Sequence, residues 1–176
     1  MRERTLASRQ VHQGHTIRVR VDEVERPDGR RTTRDVVEHP GAVAIVAWDG
    51  ERIAMVRQWR HATGQTLLEI PAGTLEPDEP PDETARRELA EESGLSAETW
   101  VRGPRFYTAP GFCDELMHLF LATDLGSASA AGDEDEEIER VWMSLPEALE
   151  AIDDGRIADG KSIAAIGWLS RRIPPT

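Results

Sequence analysis

Residues 41–48 read GAVAIVAW, a run that is apolar at every position. Successive side chains of a strand point to opposite faces, so such a run reads as a strand buried on both. Asp49-Gly50 then supplies a hairpin turn, and residues 52–58 alternate as its partner. Residues 65–70 lead into Pro71-Ala72-Gly73, a strand end and a turn. Pro80-Pro81-Asp82 opens a helix over about 82–93, which Gly94 ends. Strands are expected near 100–107, 116–122 and 137–143. Ser144-Leu145-Pro146-Glu147 has the spacing of a capping box and opens a helix to about Asp153, and residues 163–171 fit a final short helix. Mixed strands with two or three helices predict an α/β sandwich.

The first 38 residues differ in texture. Residues 16–21 alternate, 26–30 (RPDGR) form a turn and 32–37 return, which predicts a small antiparallel β unit ahead of a main domain at 39–176. The chain has 176 residues, too few for an α/β barrel or for a dinucleotide domain with a separate substrate domain. No apolar run approaches the ~18 residues of a membrane span. The opening MRERTLASRQ lacks the apolar core of a signal peptide, and the single Cys113 excludes an intramolecular disulfide. A cytoplasmic protein is expected.

The formal net charge is −12, which argues against a nucleic-acid binder. It is concentrated in two blocks. Residues 76–92 hold eight acids and two bases, residues 133–139 hold six acids and no base, and the remainder is neutral. Within the first block Glu88, Glu91 and Glu92 stand at i, i+3 and i+4, on one face of the expected helix. Unpaired, they repel by a few tenths of a kcal/mol per pair. Either this is a solvated stripe partly offset by Arg86 and Arg87, or it is a site for a divalent cation, which prefers oxygen ligands.

From Gly73, five residues lead to Glu79, and seven more to Arg87-Glu88-Leu89-x-Glu91-Glu92-x-Gly94-Leu95. This resembles the Nudix signature, G-x5-E-x7-R-E-U-x-E-E-x-G-U with U aliphatic, and every specified position matches. The resemblance implies a Nudix α/β/α sandwich with a mixed sheet across roughly residues 39–171. It implies that Glu88, Glu91 and Glu92, with the backbone carbonyl of Ala72, bind Mg²⁺ or Mn²⁺, two or three ions per site. Gly73 and Gly94 would serve the turns at either end, Arg87 and Glu79 would brace the helix, and Leu89 and Leu95 would be core contacts. The family cleaves nucleoside diphosphates linked to another moiety, and the cations neutralise the pyrophosphate and activate water.

The flanks resemble the ADP-ribose pyrophosphatase branch: Arg57-Gln58-Trp59-Arg60, Leu67-Leu68-Glu69-Ile70-Pro71-Ala72-Gly73, and Thr108-Ala-Pro-Gly-Phe-Cys-Asp-Glu115, whose Pro110 stands 16 residues after Gly94. That likeness implies cleavage of ADP-ribose to AMP and ribose 5-phosphate by a homodimer, with residues 1–38 mediating dimerisation. Glu134 or Glu136 would be the general base, acting with Glu92; a solvated acidic loop is the alternative. Arg60 is the candidate phosphate or ribose contact, or else a surface arginine. Pro110, Gly111, Phe112 and Glu115 would line the substrate site, with Phe112 stacking on adenine, Trp48 packing in the core or else stacking too, and Glu115 touching a terminal ribose or a water at the metal. Cys113 and the five histidines read as bystanders. Rival readings are another nucleotide sugar such as ADP-glucose or GDP-mannose, a non-catalytic ADP-ribose-sensing module, and RNA decapping, for which no basic track is evident.

Overall fold

The computed structural model describes residues 2–129 and 138–173. They form two compact units, Met1–Gly41 with Phe106–Leu116, and Ala42–Arg105 with Met117–Thr176. The first holds an antiparallel sheet of β1 (Arg4–Gln13), β2 (Arg18–Glu25) and β3 (Arg31–Glu38), in that order. β2 and β3 are the two strands expected from alternation, with Val19 opposite Val37. β1 is additional. Nearly every β1 residue is exposed, so it carries no apolar alternation to read. Polar cross-strand contacts help to hold it, Ser8 Oγ donating to Asp22 at 2.6 Å and Arg4 pairing with Glu25. Residues 106–116 attach to β3: the Val37 N–H donates to the Phe112 carbonyl at 2.7 Å, and the Asp114 N–H to the Val37 carbonyl at 3.1 Å.

The second unit contains β4 (Ala42–Trp48), β5 (Arg52–Arg60), β6 (Gln65–Glu69), β7 (Ala72–Thr74), α1 (Pro81–Ser93), β8 (Leu95–Tyr107) except its last two residues, β9 (Leu116–Ser127) except its first, β10 (Glu139–Ser144), α2 (Leu145–Asp153) and α3 (Gly160–Ser170). Its sheet runs β10-β5-β4-β9-β8, with β6 on β5 and β7 on β4. β4 is parallel to β9 and antiparallel to β5 and β7, so the sheet is mixed. Val43 through Ala47 are completely buried, as a two-sided apolar strand requires. Val43, Ile45 and Ala47 pack with Ala85 and Leu89 of α1, while α3 also packs on β4. Helices on a mixed sheet, together with a separate small antiparallel sheet, are the α/β architecture expected from sequence.

The helix ends follow local chemistry. α1 has Pro81 at its first position and Asp82 and Glu83 in its first turn, where acids suit the helix dipole. It stops at Gly94, whose φ of 64° is left-handed and whose N–H donates to the Ala90 carbonyl. Ser144 and Glu147 form the reciprocal capping box of α2. α3 begins three residues earlier than expected, because Asp159 caps the N–H groups of Lys161 and Ser162. At Ala72–Thr74 the chain makes a short strand on β4 rather than a turn. Among the described residues no helix is long and apolar enough to cross a membrane.

Leu89 is completely buried where α1 meets β4. Leu89→Ala is expected to cost about 3 kcal/mol of unfolding free energy, read from urea melts.

Candidate functional site

The inward face of α1 buries Ala85 and Leu89 in the core. The neighbouring face carries Glu88, Glu91 and Glu92 beside β7. Arg87 organises it. Its Nε and Nη2 donate to Glu79 Oε1 and Oε2 at 3.1 and 3.0 Å. Its Nη1 donates to Glu88 Oε1 at 2.8 Å and to Glu91 Oε2 at 2.9 Å. One guanidinium therefore offsets three carboxylates. The hydrogen bonds from Arg87 hold Glu79 below the usual carboxylate range against partial burial, and Thr84 Oγ1 adds another at 2.9 Å. Arg86 turns elsewhere, onto the ring of Trp100 at 4.8 Å, so the offset comes from Arg87.

Glu92 is placed differently. It is buried, its Oε2 accepts the Ala72 N–H at 2.9 Å, and its Oε1 accepts from Gln58 Nε2 at 3.4 Å. Burial pushes its carboxyl up to about 8, and the like charge of Glu88 adds to this; the two hydrogen bonds and the charge of Arg60 oppose it. Gly73 has a steric reason to be glycine. A Cβ built there would lie 1.9 Å from the Glu88 carboxyl carbon. Glycine at this position admits the Glu88 carboxylate against the β7 backbone, which is a closer constraint than the turn expected from sequence.

A divalent metal suits this chemistry. The donors are hard oxygens, a cationic guanidinium already bridges Glu88 and Glu91, and Gly73 keeps the space that the Glu88 carboxylate occupies. Among the described residues no three acidic, His or Cys side chains converge as a ready-made ligand group. Glu88 and Glu91 turn onto Arg87, while Glu92 turns onto Ala72 and Gln58.

Arg60 sits on a second charged cluster. Its Nε and Nη2 donate to Glu69 Oε1 and Oε2 at 3.0 and 2.7 Å. Glu69, with only 2% of its side chain exposed, also takes the ammonium of Lys161, which reaches Asp159 Oδ1 at 3.0 Å. Burial pushes the Glu69 carboxyl up, but Arg60 and Lys161 override it and hold the group below its ordinary value. Sequence reading gave no role to Gln58, Glu69, Asp159 or Lys161. The available signal was a carboxylate inside the apolar stretch LLEI, which needs a buried partner.

The structure thus brings Ala72, Glu88, Glu91, Glu92 and Arg60 into one neighbourhood of the second unit. Pro110, Gly111, Phe112 and Glu115 belong to the first. There the Phe112 ring is 59% exposed. Glu115 accepts from Thr108 Oγ1 at 2.5 Å and lies 3.7 Å from His39 Nδ1. His39 itself accepts the Gly41 N–H at 3.1 Å, a structural role. Glu134 and Glu136 lie outside the described residues.

Two predictions follow from these contacts. Gly73→Ala is expected to fold, because the clash is with a flexible carboxylate end, but to displace Glu88. Affinity for Mn²⁺, read by calorimetry, should fall about 10- to 100-fold with little change in thermal midpoint. For Glu69, a lowered native value means that its contribution is fully present above its ordinary value of 4.5 and is lost as pH falls further. The stability gap between the wild type and Glu69→Gln, read from urea melts, should be about 3 kcal/mol at pH 7 and should narrow steadily below pH about 4.5.

Comparison with known proteins gives the family. A family model described as NUDIX domain matches residues 38–166, and one described as Nucleoside diphosphate sugar hydrolase N-terminal domain matches residues 3–37. The chain is 41% identical over 172 residues to the ADP-ribose pyrophosphatase of Bacillus subtilis (strain 168), covering 96% of this chain and 93% of that one. It is 42% identical over 170 residues to the methanol dehydrogenase activator of Bacillus methanolicus, covering 95% and 92%. It is 43% identical over 166 residues to the ADP-ribose pyrophosphatase of Mycobacterium tuberculosis (strain ATCC 25618 / H37Rv), covering 92% and 80%. A solved structure described as an ADP compounds hydrolase shares the fold, with a TM-score of 0.88 at 23% identity over 98% of this chain and 94% of that one. Nudix hydrolases use divalent metal ions, which is what the oxygen-rich face of α1 is suited to hold. A family match that spans most of the chain, on a helix whose carboxylates are braced in this way, means that the protein belongs to the Nudix family and is a pyrophosphohydrolase.

Proposed function

We propose that this enzyme hydrolyses the pyrophosphate bond of ADP-ribose to AMP and ribose 5-phosphate. Glu88, Glu91, Glu92 and the carbonyl of Ala72 would hold Mg²⁺ or Mn²⁺, two or three ions per site. The observation that carries the reading is the Arg87-braced carboxylate face of α1 set against Gly73. Identity along nearly the whole chain to proteins named ADP-ribose pyrophosphatase supports the substrate.

The bound cations would neutralise pyrophosphate oxygens and lower the pKa of the attacking water. The protein's own groups do the rest. Arg87 fixes the rotamers of Glu79, Glu88 and Glu91, so the acidic face is preorganised. Arg60, held by Glu69, brings its positive charge to a phosphate oxygen. Phe112 offers an exposed ring for the adenine, and Glu115 accepts from a ribose hydroxyl. On sequence position alone, Glu134 or Glu136 takes the proton of the attacking water. Water adds to one phosphorus, the bridging P–O bond breaks, and each product leaves with one phosphate. Residues 1–38 serve as a dimerisation unit and 39–176 as the hydrolase domain of a cytoplasmic homodimer. The match of residues 3–37 to a nucleoside diphosphate sugar hydrolase N-terminal model supports the division into these two parts.

Identity to a methanol dehydrogenase activator is nearly equal, so a substrate panel separates the readings better than identity does. Purified protein with Mg²⁺ is offered ADP-ribose, ADP-glucose, GDP-mannose and ATP, and nucleoside monophosphate release is measured. AMP from ADP-ribose in clear preference is expected, with Glu92→Gln reducing it by about a hundredfold or more. Preference for another of the four would overturn the substrate assignment. Release undiminished in Glu92→Gln would overturn the role of the α1 face.

A further inference from the structure

We propose that Lys161, in the first turn of α3, is a positioning residue for Arg60: it shares the buried Glu69 carboxylate with the Arg60 guanidinium and so fixes how that guanidinium is presented to substrate phosphate. This rests on the reading of Arg60 as a phosphate contact.

The geometry begins with Glu69. Its side chain is almost completely buried, and a lone carboxylate there would be costly. Arg60 engages both oxygens, Nε to Oε1 at 3.0 Å and Nη2 to Oε2 at 2.7 Å. That fork already gives each oxygen a donor, yet Lys161 Nζ also bonds to Oε2. The lysine is itself constrained. Asp159 Oδ1 accepts its ammonium at 3.0 Å and its backbone N–H at 3.0 Å, and the Ser162 N–H at 3.3 Å. Ser162 Oγ in turn accepts the N–H of Ile70, the residue after Glu69, at 2.9 Å. The start of α3 is thereby tied to the end of β6, and Lys161 has little freedom to leave Glu69.

Electrostatics gives this arrangement a purpose. Arg60 and Lys161 face Glu69 and Asp159, so the cluster is neutral as a whole. Without Lys161 it carries one net negative charge, and Glu69 is held by one partner only. Both changes weaken a phosphate contact. Such a contact is made equally by bound substrate and transition state, so its loss is read in KM rather than kcat.

The test uses the full chain with Mg²⁺ and ADP-ribose at 25 °C. Lys161→Met is expected to raise KM about tenfold with kcat within about threefold of wild type. Lys161→Arg should restore KM. The double variant Arg60→Ala/Lys161→Met should be no worse than Arg60→Ala, because Lys161 acts through Arg60. In ¹⁵N-labelled protein the Arg60 Nε–H signal should shift or broaden in Lys161→Met. A lower thermal midpoint with KM unmoved, or additive effects in the double variant, would overturn the proposal. If the wild type cleaves no nucleotide sugar, it is the substrate reading that has failed; the Nε–H signal then decides, and an unperturbed one refutes positioning. Should Lys161→Met not fold, Asp159→Asn removes the negative charge that anchors the lysine while still capping α3. It should raise KM about threefold and perturb the same signal, and no change in either would refute the proposal.

Discussion

The guanidinium of Arg87 lies among Glu79, Glu88 and Glu91, and the rest of the site depends on that contact. Three acids at i, i+3 and i+4 repel one another, and burying Glu92 adds a desolvation cost. A cation fixed to the helix lets the acidic face persist in one arrangement. Arg87 meets this need because it is planar, permanently charged and able to bond several carboxylates at once. Its own affinity for the proton is raised, first by the hydrogen bond to Glu79, so it stays charged. A lysine could supply the charge but not the fork.

The fold delivers the face to its place. β4 is buried on both sides, so α1 must pack on it through Ala85 and Leu89. Once Leu89 is committed to the core, helical geometry puts Glu88 and Glu92 beside β7. There the backbone of Ala72 meets Glu92 and the missing side chain of Gly73 admits Glu88. The same strand pair that makes the core thus sets the distance between the carboxylates and the polar backbone. Glu69 lies on β6, which pairs with β5 beyond the stretch that pairs with β4, and its charge is balanced from α3. Two ion networks, one on α1 and one reaching from α3, therefore meet β5 at Gln58 and Arg60.

Much of this was legible in residue order. The apolar run of β4, the prolines and glycine bounding α1 and the Ser144–Glu147 box each encode local structure, and local structure is what spacing reports. The face shared by Glu88, Glu91 and Glu92 was legible for the same reason. β1 was not, because its side chains are exposed on both faces and its stability comes from hydrogen-bonded and charged cross-strand contacts. Nor was the reason for Gly73, which depends on a carboxylate fifteen residues away across the packed helix. The Glu69 network was illegible as well. Lys161 meets Glu69 only through the tertiary fold, and no spacing rule connects residues separated by 92 positions.

The central claim is that the α1 face takes divalent cations between carboxylates that Arg87 holds ready. Crystals grown with Mn²⁺, with diffraction recorded at its anomalous edge, test it most directly. The account predicts anomalous peaks about 2.0–2.3 Å from oxygens of Glu88, Glu91 and Glu92, and none there in Glu88→Gln/Glu91→Gln crystals. Peaks only at other carboxylates, or peaks retained at α1 in the double variant, would contradict it.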